Sequence, residues 1–139
     1  GAIQSMRGIV ANDAEEAMYM ARDKDQNGES ITSKHTYELH FPPGQTPPAR
    51  YFWSLTVYDQ DANLMLNDYD RYAISGHSED LIYEDDGSLR ILIGGKPPQG
   101  MVGNWLPAGE SFTRVTLRVY GPEKAMVERT WKPPQLKRL

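Results

Sequence analysis

Asp23, Asp25 and Asn27 stand at alternate positions and are followed by Gly28, a spacing with which the opening of a calcium loop converges oxygens on one hard cation. Glu29 suits that pattern, but the closing position, where a bidentate carboxylate is needed, falls at Lys34. The same letters make a hairpin turn, because Asp and Asn hydrogen-bond their own backbone and Gly accepts positive φ. Two further acidic stretches, "DQDAN" at residues 59–63 and "EDDG" at 84–87, also lie between apolar alternating runs. Turn chemistry accounts for all three, and a calcium site remains the alternative for the first.

The histidines are His35, His40 and His77. On one strand, His35 and His40 would point to opposite faces, which spoils a shared metal site. His77 lies in "SGHSED" beside Glu79 and Asp80, so His40 or His77 with a nearby carboxylate could serve as a general base or complete a metal site. Ordinary surface histidines explain them equally. No G-x-S-x-G, P-loop or dinucleotide fingerprint occurs, and "GGKPPQG" lacks the Ser/Thr and following helix of a phosphate cradle. The expectation is no catalytic residue, no metal and no cofactor.

The chain has 139 residues, enough for one core and too few for two comfortable domains, so a single domain over 1–139 is expected, with residues 1–13 as an N-terminal extension. Fifteen Lys plus Arg against 19 Asp plus Glu give a net charge of -4, which argues against nucleic acid and anionic membrane as partners. The absence of cysteine excludes disulfides, thiolate zinc sites and thiol catalysis. No apolar run approaches the roughly 18 to 20 residues that span a bilayer. The chain opens on "GAIQSM" without an initiator methionine, so a processed or truncated piece is expected, with an upstream signal, anchor or domain missing.

The elements that would position these groups are strands. "YFWSLTVYD" sets Tyr51, Trp53, Leu55 and Val57 on one face, "TRVTLRVYG" sets Val115, Leu117 and Val119, "HTYELHF" sets Tyr37, Leu39 and Phe41, and "SLRILIG" sets Leu89, Ile91 and Ile93. Trp53, Trp105 and Trp131 are expected as packing anchors. "FPPGQTPP", "GGKPPQG" and "KPPQ" are loops, because proline removes donors and fixes φ. A short helix is plausible near the start, over residues 3–11 and in "DAEEAMYMA", where Asp13 could cap; strand is the rival, since Ala17, Tyr19 and Ala21 alternate with Met18 and Met20.

The face opposite the apolar set carries Glu38, His40, Ser54, Thr56, Tyr58, Arg114, Thr116, Arg118 and Tyr120. It is either a solvated sheet face or the lining of a concave pocket. From it the candidate ligand-binding set is His40, Tyr58, Arg114, Arg118 and Tyr120. Two cations on one strand of an acidic chain need anions, and Glu38 or an anionic ligand would supply them.

"YELHFPPGQTPPARYFWSLTVYDQDANLML", "DRYAISG", "DGSLRILI", "NWLPAGESFTRVTLRVYGP" and "TWKPP" resemble, in order, the successive blocks of the domain-of-unknown-function family 1214. The resemblance implies an all-β fold, an antiparallel β-sandwich of jelly-roll character. It also implies a place C-terminal to a domain of family 1254, absent here, in exported or membrane-associated bacterial proteins. It implies no reaction. His40, Trp53, Arg71, Tyr72, Asn104, Trp105, Leu106 and Pro107 stand at family-motif positions, as structural or functional residues. Two functions follow: a non-catalytic module binding a small molecule, glycan or protein, or a hydrolytic enzyme domain using His40 or His77 with a carboxylate.

Overall fold

The computed structural model describes residues 7–13, 17–59, 73–110 and 112–139, with backbone alone for 7–13 and Thr113. Over these residues the strands are β1 Arg7–Asp13, β2 Ala17–Arg22, β3 Tyr37–Phe41, β4 Ala49–Asp59, β5 Ala73–Ser75, β6 Leu89–Ile93, β7 Trp105–Leu106, β8 Phe112–Pro122 and β9 Lys137–Arg138. A 3-10 turn at Val102–Asn104 precedes β7, and a four-residue helix α1, Lys124–Val127, follows β8. The strands make a five-stranded sheet, β1-β2-β8-β4-β5, and a four-stranded sheet, β7-β6-β3-β9. Every pair is antiparallel except β6 with β7, which is parallel. The fold is an all-β sandwich.

Alternation along each strand builds the core between the sheets. From the large sheet, the pairs Met18 with Val119, Met20 with Leu117, Leu55 with Leu117 and Val57 with Val115 point inward. From the small sheet, Tyr37 faces Ile93, Leu39 faces Ile91 and Phe41 faces Leu89. Phe41 and Trp53 meet across the sheets with ring centroids 6.0 Å apart, and the buried Tyr37 hydroxyl accepts the Thr32 amide. A one-residue slip in any strand would turn its apolar set outward, so burial itself holds the register.

Two expectations are corrected. Where a helix was considered, residues 7–13 form edge strand β1 and residues 17–22 form β2; residues 1–6 and 14–16 lie outside the described residues. Met18 and Met20 face the core while Tyr19 and Ala21 face away, a period-two arrangement that a helix would scatter. Tyr51 does not join Trp53 inside. The β4–β8 register shifts between Ala49 and Phe52, and this bulge leaves Tyr51 58% exposed, lying against Gly121.

The last segment works as a strap between the sheets. Trp131 Nε1 donates to the Gln45 carbonyl, Leu136 is buried, and β9 pairs with β3. Arg22, on β2, donates from Nη1 to the Pro134 carbonyl at 2.6 Å, and burial lowers its pKa below the ordinary arginine value. Beneath the strap is a cavity of about 30 Å³, walled by Met20, Leu39, Phe41, Leu55, Leu117 and Pro134. Its lining is almost wholly carbon, which suits a gap in apolar packing rather than a polar site.

Candidate functional site

Register places the candidate residues without further assumption. On the outward face of the five-stranded sheet, Tyr58 lies opposite Arg114, Thr56 opposite Thr116, Ser54 opposite Arg118 and Phe52 opposite Tyr120. β5 extends two of these rows, with Ser75 beside Ser54 and Ala73 beside Thr56. β2 extends a row on the other side, with Tyr19 opposite Arg118. Large side chains therefore stand in the Phe52 and Tyr58 rows, and between them lie the small Ser54, Thr56, Ala73, Ser75 and Thr116 together with Arg118.

Phe52 and Tyr120 stack at 4.4 Å, and the His77 ring lies 6.0 Å from Phe52. The Arg118 guanidinium sits 5.3 Å from the Tyr19 ring centroid and donates from Nη2 to the Tyr58 hydroxyl at 3.0 Å. Reaching from the Ser54 row to the Tyr58 row carries it past Thr56, which is only 7% exposed although it faces outward. Arg118 Nε and Thr56 Oγ1 are both buried and without a hydrogen-bond partner. Among the described residues neither Arg114 nor Arg118 forms an ion pair. No carboxylate stands at the described outward positions of β2, β4, β5 and β8 from Tyr58 to Phe52.

Of the five candidate residues, Tyr58, Arg114, Arg118 and Tyr120 share this face, and His40 does not. His40 is exposed on β3, in the four-stranded sheet, opposite Arg90. Glu38, expected as a partner for the arginines, is on β3 too and pairs with Arg90. The expectation failed because period two assigns a side to each strand but not strands to sheets. Asp86 lies near His40, and its carboxyl is held below its ordinary 3.8 by hydrogen bonds from the Ser88 side chain and amide, with a smaller pull from His40. His77 lies beside Phe52 rather than near His40, so the two histidines do not form one site.

The calcium-like stretch is a turn. Asp25 Oδ1 accepts the amides of Asn27 and Glu29, Lys24 bridges to Ser30, and Gly28 has φ of +79°. Glu29 pairs with Arg138. "EDDG" is likewise a turn, closed by the Gly87 amide on the Glu84 carbonyl; of "DQDAN" only Asp59 is among the described residues. Asn104 is wholly buried, with Nδ2 donating to the Ile82 and Arg90 carbonyls and Oδ1 accepting the Ile82 amide. Trp105 Nε1 donates to the Gly94 carbonyl, and Leu106 and Pro107 are buried. "NWLP" thus pins the 80–83 loop to the small sheet. Arg71 and Tyr72 lie outside the described residues.

Tyr19, Phe52 and the His77 ring were missing from the candidate set. Strict alternation puts Phe52 in phase with Ser54 and Tyr58, and choosing strand over helix for residues 17–22 turns Tyr19 outward, so both carried a signal. The approach of His77 to Phe52 had none, because it comes from the turn after β5.

The family model described as a protein of unknown function, DUF1214, matches residues 16–124. The chain belongs to that family. This DUF1214 chain is similar to the crystal structure of the VPA0106 protein from Vibrio parahaemolyticus, at 26% identity and a TM-score of 0.77, over 90% of this chain and 31% of that one. It is also similar to an uncharacterised protein from Burkholderia cenocepacia, at 18% identity and a TM-score of 0.58, over 94% of this chain and 31% of that one, a likeness of fold alone. The DUF1214 chain spans less than a third of either protein. No curated protein matches it. Among the described residues no helix is long and apolar enough to cross a membrane.

Proposed function

We propose that this domain is a non-catalytic binding module, accessory to a larger exported or membrane-associated protein, and that its ligand-facing surface is the outward face of the five-stranded sheet. The observation that carries this is Arg118: a guanidinium held between Tyr19 and Tyr58 with its Nε unpartnered. Among the described residues it has no carboxylate partner, and an anionic ligand would supply one. The stacked Phe52 and Tyr120 beside it supply apolar contact area. A hydrolytic role for His40 draws on Asp86 nearby, but that carboxylate is committed to Ser88.

The test is a thermal-shift screen of metabolite and glycan mixtures against the parent and Phe52→Ala. A ligand that stabilises the parent and not the variant, both being folded, is the expected result. Binding indifferent to Phe52→Ala, or turnover lost on His40→Ala, would sink the proposal.

A further inference from the structure

Asn27 and Gly28 are the one Asn-Gly pair in the chain, and they sit at the exposed tip of the hairpin that runs from Lys24 to Ser30. The tip is closed by the Gly28 amide on the Asp25 carbonyl at 3.0 Å and by the Asn27 and Glu29 amides on Asp25 Oδ1. Among the described residues the Asn27 side-chain amide has no hydrogen-bond partner. The strap rests on the same hairpin. The Gln26 amide donates to the Leu136 carbonyl at 2.8 Å, Gln26 Oε1 accepts the Arg138 amide at 2.8 Å, and Glu29 Oε2 accepts from Arg138 Nη1 at 3.0 Å. Asn27 lies between these two holding residues.

We infer that Asn27 is a site of spontaneous deamidation, and that its conversion loosens the strap from the hairpin. The reaction needs water alone. The Gly28 amide nitrogen gives up its proton and attacks Cγ of Asn27; the N–Cγ bond forms, the Cγ–Nδ2 bond breaks, and Nδ2 takes up a proton and leaves as ammonia. Water then opens the cyclic imide at either carbonyl, which leaves aspartate or isoaspartate, and nothing is oxidised or reduced. Glycine at 28 has no Cβ to crowd the attacking nitrogen. Exposed turns open locally at small cost, which frees that nitrogen from the Asp25 carbonyl. Isoaspartate adds a methylene to the main chain at position 27, so the Asp25 closures no longer span the tip, and aspartate puts a further carboxylate beside Asp25 and Glu29. Either product disturbs Gln26 and Glu29, through which the hairpin holds the strap.

The protein is held in mildly alkaline buffer at body temperature, beside a portion unfolded in urea, and both are mapped with trypsin, which releases residues 25–34 as one peptide. That peptide is expected to gain the mass of an amide-to-acid change at Asn27 in the folded as well as the unfolded protein, with isoaspartate shown by its fragmentation. In the converted protein the Arg138 amide should exchange with deuterium faster by roughly tenfold or more, because the hydrogen bond that protects it is weakened. Asn27→Gln, whose longer side chain closes an imide ring slowly, should show neither change. Asn27 is exposed and is not among the residues of positive φ, so the variant is expected to fold; Asn27→Ser takes its place if its melting temperature before ageing is lower than that of the parent.

An Asn27 that stays intact in the folded protein while the unfolded portion converts overturns the site. Earlier conversion at another asparagine of the folded protein does the same. Conversion with unchanged exchange at Arg138, or faster exchange in the aged Asn27→Gln protein as well, overturns the coupling to the strap.

Discussion

Asn104 shows how one side chain can do what a strand pair does elsewhere. Its amide satisfies two carbonyls and an amide in a buried place where water cannot substitute. Asn104→Ala leaves all three unpaired and should cost about 2 to 4 kcal/mol in urea unfolding; a variant as stable as the parent would refute the staple. Asp86 acts at the surface. A carboxyl whose folded pKa is depressed contributes stability above its unfolded value, and that contribution is lost as the pH falls below 3.8 and through the lower folded pKa. Asp86→Asn should therefore flatten the acid limb of a melting-temperature profile and change little near neutrality. An unchanged acid limb would mean that the Ser88 hydrogen bonds carry no linkage.

At the scale of elements, β4 and β8 carry the fold and were plain in the sequence, since "WSLTV" and "VTLRV" alternate without interruption. Trp53 is buried against Phe41, and its indole lies over Gly76, where an added Cβ would fall 2.6 Å from Nε1. Trp53→Ala should cost roughly 3 to 5 kcal/mol by chemical denaturation, and a loss below about 1 kcal/mol would show that the indole is not a core group. β2 was ambiguous for a physical reason. "AMYMA" is short, unbranched and rich in methionine, so local preference favours helix, and only pairing with β8 makes it a strand. Tyr51 shows the converse: its phase with Trp53 was correct by counting, and a bulge that counting cannot see turned it out.

Across the whole molecule, the strap joins both sheets: Arg22 on β2 holds Pro134, β9 pairs with β3, and Leu136 is buried between. Deleting residues 132–139 should cost at least about 3 kcal/mol and lower the melting temperature as one cooperative transition. Stability equal to the parent would show the strap to be ornamental. The sequence by itself determined the strand class, the inward residues of β3, β6, β8 and, Tyr51 apart, β4, and the acidic turns at 23–29 and 84–87, because period two and turn chemistry act between near neighbours. Which strands share a sheet was decided by the tertiary structure. That choice parted His40 and Glu38 from Arg118, brought Tyr19 and Tyr58 to its guanidinium, and set His77 against Phe52. Burying apolar faces against each other sorts strands by long-range pairing, and a pattern read along the chain holds no record of it.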